Sequence, residues 1–125
     1  MSAAPSDDLL VACLCAEWCG TCRDYRPVFE SLAAEYGSRA RFVWVDIEDD
    51  DEVLGPTLDV ENFPTLLIAS GATIGFYGPV LPHPQTASRL IRNGIDGELP
   101  AVADPALDGL VARVRDFAEE QGRGR

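Results

Sequence analysis

Leu9-Leu10-Val11-Ala12-Cys13-Leu14-Cys15, followed two residues later by Trp18-Cys19-Gly20-Thr21-Cys22, decides how the chain is read. The first part holds almost nothing polar, the mark of a central strand covered on both faces of an α/β sheet. Beyond the second part, Tyr25, Phe29, Leu32, Ala33 and Tyr36 recur at helical spacing, Arg23, Asp24, Arg26 and Glu30 fall largely elsewhere, and Gly37 offers a stop. A strand therefore feeds a helix that begins at about Cys19. Residues i and i+3 of a helix share a face with Cα atoms about 5 Å apart, inside the window that a disulfide requires. Cys19 and Cys22 can thus bond or part with little backbone movement. A thiol in the first helical turn also meets unpaired N–H groups and the positive end of the helix dipole, which favour the thiolate. Cys19 is the predicted nucleophile and Cys22 the resolving thiol.

Working outward, Arg41 to Ile47 reads as a second strand, parallel to the first through a right-handed crossover. In such units the active-site loops gather at the carboxyl ends of the strands, where Trp18 to Cys22 lie. The acidic run Glu48 to Glu52 leads into a short helical stretch over residues 51–58, where acids complement the helix dipole. Thr65 to Ala69 is a strand ended by Ser70-Gly71, and Thr73 to Tyr77 returns antiparallel beside it. A breaker-rich loop holds His83, the one histidine, read as a surface residue, and precedes a helix over 85–93. Asp104-Pro105 forms an N-cap and N1 pair for a last helix, to about Gln121, whose stripe is Leu107, Leu110, Val111, Val114 and Phe117.

With Pro27 inside the first helix and Phe63-Pro64-Thr65 spaced suitably beyond Cys22, the chain resembles the thioredoxin family over roughly Leu9 to Asn93. The resemblance implies a three-layer α/β/α sandwich with a mixed sheet. It implies a cis proline at Pro64, with the backbone of Phe63 offered to an extended substrate strand, and Trp18, Gly20, Phe63 and Pro64 as the substrate platform. Three departures accompany it. Only about eight residues precede Leu9, too few for a β-α unit ahead of the active-site strand, so the domain is expected to lack the N-terminal β-α unit and to carry an extra C-terminal helix. Cys13 stands where the family has a buried acid, and Trp44 where it commonly has a lysine, so the usual proton relay is missing. Thr21 replaces the proline of thioredoxin itself. The expected organisation is a thioredoxin-like domain at 9–93, a linker at 94–103 and the additional helix at 104–121, packed on the same domain over a sheet face left uncovered.

The 125 residues suit one domain. A net charge of −11, from 21 acidic and 10 basic residues, leaves no basic stripe for a phosphate backbone, so nucleic acid and anionic membranes are not expected partners. The opening residues hold no basic leader and the apolar run is too short to span a bilayer; a cytoplasmic protein is expected. All four cysteines lie between positions 13 and 22, clustered for local chemistry or packing. Cys13 and Cys15 are expected to point to opposite faces of their strand and to serve as small buried hydrophobes. The function expected is thiol–disulfide exchange on disulfide-containing proteins, recycled by an upstream reductase or a low-molecular-weight thiol, with no cofactor and no metal. The alternatives are metal or iron–sulfur binding by the cysteine cluster, and a non-catalytic binding module or chaperone on the same fold.

Overall fold

Strand β1 (Leu9–Cys15) is buried along its whole length, as a run without polar side chains requires. The computed structural model describes residues 9–16, 20–37, 39–48, 53, 64–80 and 83–123. After β1 come α1 (Gly20–Tyr36), β2 (Arg41–Asp46), β3 (Thr65–Ser70), β4 (Thr73–Pro79), α2 (Pro84–Ile95), a single 3-10 turn at Pro105–Leu107 and α3 (Leu110–Arg123). The four strands form one sheet in the order β2-β1-β3-β4. β1 runs parallel to β2 and antiparallel to β3, and β3 and β4 form an antiparallel hairpin, so the sheet is mixed. Gly71 turns that hairpin with φ +60, a conformation a side chain would oppose.

The period of two along β1 divides the core. Leu9, Val11, Cys13 and Cys15 face α1 and α2, where Tyr25, Phe29, Leu32, Tyr36, Ala87 and Ile91 are buried with Leu66 and Ile68. Leu10, Ala12 and Leu14 face the other way with Val43, Val45, Leu67 and Ala69, and there Leu110, Val111, Val114 and Ala118 of α3 cover them. Helices thus lie on both faces of the sheet. The Tyr36 hydroxyl and the Ser88 hydroxyl, 2.8 Å apart, link the two helices of the first face. α1 continues through Pro27 and presents its predicted stripe to the sheet, with Cys22 added at its start.

One part of the predicted fold class is corrected. The expectation that the domain lacks an N-terminal β-α unit is overturned, because β1 and α1 are such a unit at the amino end of the described residues. Counting the residues ahead of Leu9 looked for that unit in front of the active-site strand. The apolar run and the helical stripe behind it make it themselves, closed by parallel pairing of β1 with β2. The helical stretch expected over 51–58 lies outside the described residues, except for Val53, which is buried against the α3 face. The segment after α2 is tied down at both ends: the Asp96 and Glu98 amides donate to Arg92 and Asn93, and the Val102 amide donates to the Ile74 carbonyl of β4 at 2.7 Å.

Candidate active site

Because β1 and β2 are parallel, their carboxyl ends lie together, and α1 is the element that follows β1. Cys15 is the last residue of β1 and Cys22 sits in the first turn of α1, and the two are joined by a disulfide with Cα atoms 5.8 Å apart. Both are about 1% exposed. On one flank of Cys15, the antiparallel register pairs the neighbouring Leu14 with Thr65, the first residue of β3, and Pro64 directly precedes Thr65 in the chain. Pro64 is fully buried and its carbonyl accepts the Val80 amide at 3.0 Å, closing the end of the β3–β4 hairpin. On the other flank, Asp46 stands across from Cys15; the Ile47 amide donates to the Cys15 carbonyl and the Glu48 amide to the Asp46 carboxylate, both at 2.9 Å.

Cys13 and Cys15 do not point to opposite faces. Residues two apart on a strand share a face, and the two sulfurs lie 3.7 Å apart in the core beneath α1. Cys13 is the free thiol of this group, and burial pushes it well above the ordinary thiol range. In β2 its register partner is Trp44, whose ring packs edge-on against Phe29 and lies under the Arg26 guanidinium, 5.0 Å away. Tyr25, one turn after Cys22 on the same buried stripe, has its hydroxyl pushed up to about 12, first by burial and then by Cys13. That hydroxyl is fully buried with no hydrogen-bond partner among the described residues.

Of the residues expected at the site, Cys22 and Pro64 are brought together at one end of the sheet, and Gly20 opens α1 on the exposed side. Trp18, Cys19 and Phe63 lie outside the described residues, and with them the Cys19–Cys22 pairing and the isomer of the Phe63-Pro64 bond. His83 precedes α2 as an exposed residue without a side-chain cap bond. Among the described residues, no group of three or more His, Cys, Asp or Glu side chains is placed to hold a metal ion, and no helix is long and apolar enough to cross a membrane. The residue that sequence reading missed is Cys15. The period of two would have found it, since it sets Cys15 and Cys13 on the face that receives the stripe of α1 beginning at Cys22.

Comparison with known proteins agrees with this fold. The family model described as Thioredoxin matches residues 2–81. Thioredoxin of Bacillus subtilis is 36% identical over 67 residues, 54% of this chain and 64% of that protein. Thioredoxin of Haemophilus influenzae is 32% identical over 74 residues, 58% of this chain and 68% of that protein. The chain thus spans a little under two thirds of the Bacillus protein and a little over two thirds of the Haemophilus one. Among solved structures, thioredoxin from Trypanosoma brucei brucei superposes with a TM-score of 0.61 at 26% identity, covering 74% of this chain and 80% of that one. The germline-specific thioredoxin Deadhead of Drosophila melanogaster gives 0.62 at 22% identity, covering 70% and 83%, a likeness of fold. With the family model matching residues 2–81, well over half its length, the chain belongs to the thioredoxin family.

Proposed function

We propose that the protein is a thiol–disulfide oxidoreductase that reduces disulfides of other proteins, with Cys19 as nucleophile and Cys22 as resolving thiol. The observation that carries the reading is the position of Cys22: a sulfur already engaged in a disulfide, in the first turn of α1, at the carboxyl end of β1. Cys19 thiolate attacks one sulfur of the substrate disulfide, the other substrate sulfur leaves as thiolate, and a mixed disulfide results. Cys22 thiolate then attacks the Cys19 sulfur and expels the second substrate thiolate, leaving Cys19–Cys22 oxidised by two electrons. Trp18, Gly20, Phe63 and Pro64 would seat the substrate chain in an extended form. An upstream reductase or a low-molecular-weight thiol in a reducing cytoplasm would restore the dithiol.

Resolution has to proceed without a buried carboxylate. Cys13, where the family resemblance puts that acid, holds its own proton through burial and is no base at neutral pH. The proton of Cys22 therefore passes to water or to an exposed group. The test is a titration of the purified protein against defined dithiol–disulfide buffers, with alkylation and mass spectrometry reporting Cys19 and Cys22. We expect a reversible two-electron transition near about −270 mV, and loss of the Cys19–Cys22 linkage in Cys19→Ser. A value near about −180 mV would turn the reading from reductant to oxidant or isomerase, and no transition at Cys19 and Cys22 would end it.

A further inference from the structure

Cys22 has two potential partners in one chain. The dithiol chemistry proposed above needs it free to attack Cys19, yet in the structure its sulfur is bonded to Cys15. Both cysteines of that bond are buried, at about 1% exposure, where the first turn of α1 meets the end of β1. Thiol–disulfide exchange requires a thiolate to approach a sulfur, so a thiol from solution is shut out from both ends. A thiol of the same chain is not subject to that limit. Cys13, 3.7 Å from Cys15, is within reach but is held protonated by its surroundings. The remaining cysteine is Cys19, three residues before Cys22.

We propose that Cys15 is a third redox cysteine: the buried Cys15–Cys22 disulfide withholds the resolving thiol from Cys19 and is an oxidised reserve opened from within by Cys19. The inference rests on the dithiol reading above. In the exchange, Cys19 thiolate attacks the Cys22 sulfur, the Cys19–Cys22 bond forms, the Cys15–Cys22 bond breaks, and Cys15 leaves as a thiolate that takes up a proton. No net oxidation or reduction occurs. An external dithiol then supplies two electrons to Cys19–Cys22. In reverse, Cys15 draws the disulfide inward, and the protein keeps a lone Cys19 that can form mixed disulfides without resolving them. Cys15 thereby sets the fraction of molecules competent for a full cycle.

The test maps disulfides in the full chain and three variants, Cys13→Ser, Cys15→Ser and Cys19→Ser, after equilibration with oxidised glutathione and blocking with N-ethylmaleimide. Reduction by dithiothreitol is then timed. Wild type is expected to yield both the Cys15–Cys22 and Cys19–Cys22 linkages, and Cys13→Ser to keep both, which assigns the inner bond to Cys15. Cys19→Ser is expected to hold the inner disulfide and to be reduced at least about tenfold more slowly than wild type, because access governs the exchange rate. Absence of the inner linkage from both wild type and Cys19→Ser overturns the proposal, as do equal reduction rates in the two, which would make the bond an inert brace. Cys15→Ser separates the two readings. If it forms Cys19–Cys22 normally while the inner linkage is never found, only the inference falls; if Cys19–Cys22 does not form in folded Cys15→Ser, the dithiol reading falls and takes the inference with it. Should Cys15→Ser fail to fold, as circular dichroism would show, the wild-type and Cys19→Ser arms decide the inference.

Discussion

Burial of a thiol and a phenol side by side gives the protein a signature in alkali. In the unfolded chain Cys13 titrates at its ordinary value of 9.0, while in the fold burial holds the proton on well above that. Above pH 9.0 the unfolded state therefore binds fewer protons than the native state, and stability falls as pH rises. Tyr25 adds a second loss between its ordinary 10.0 and about 12. Each group contributes at most about 1.4 kcal/mol per pH unit. Urea midpoints are expected to decline from pH 9.0 upward, and Cys13→Val, which removes the first titration, should flatten the onset; an unchanged slope in that variant would mean that Cys13 is not shielded as described. At this scale the sequence placed Cys22 in the first turn of a helix and Pro64 just ahead of a strand, and the structure has both there. Cys15 was missed for want of the rule that residues two apart share a strand face, a rule that also explains the 3.7 Å between its sulfur and that of Cys13.

The elements were legible where a period ran long enough to be unambiguous. The unbroken apolar run of β1 and the stripes of α1 and α3 needed only side-chain spacing, and they are buried except at Ala33 and Phe117, which are half-buried. Pairing is a property of partners far apart in the chain. The position of β1 between β2 and β3 depends on residues 65–70, and the role of β1 with α1 as the opening unit was misjudged by counting residues in front of it. The energetic weight of α3 is testable. Leu110 is fully buried against Leu10, Leu14 and Leu67 on the face that α1 and α2 leave uncovered. Leu110→Ala should cost about 2–5 kcal/mol in urea unfolding, from lost burial and the cavity left behind. An exposed change such as Arg89→Ala should stay within about 0.5 kcal/mol. Equal effects would show that α3 contributes nothing to holding the sheet.

Across the whole molecule, the return of the chain from α2 towards α3 depends on one close approach. Gly75 of β4 has no side chain where Leu99 lies; a Cβ there would stand 2.8 Å from the Leu99 Cβ and 3.1 Å from its Cδ1. Gly75→Ala is expected to push the 98–102 segment off the edge strand and to lower stability by about 1–3 kcal/mol, measured by denaturation. A second change at Leu99 to alanine should recover part of that loss, and failure to recover would place the strain elsewhere. Arg113 of α3 meanwhile donates to the Val53 carbonyl at 2.7 Å, so this helix also holds Val53.

The strand order has a further consequence during synthesis. Among the described elements, β1, Cys15 and Cys22 leave the ribosome ahead of the rest, but β1 gains its second neighbour only when residues 65–70 follow, and its other face is roofed only once α3 has followed them. A nascent chain is thus open around its cysteines until α3 has emerged, and the partner that Cys22 takes can be set by the redox conditions met before the fold closes over it.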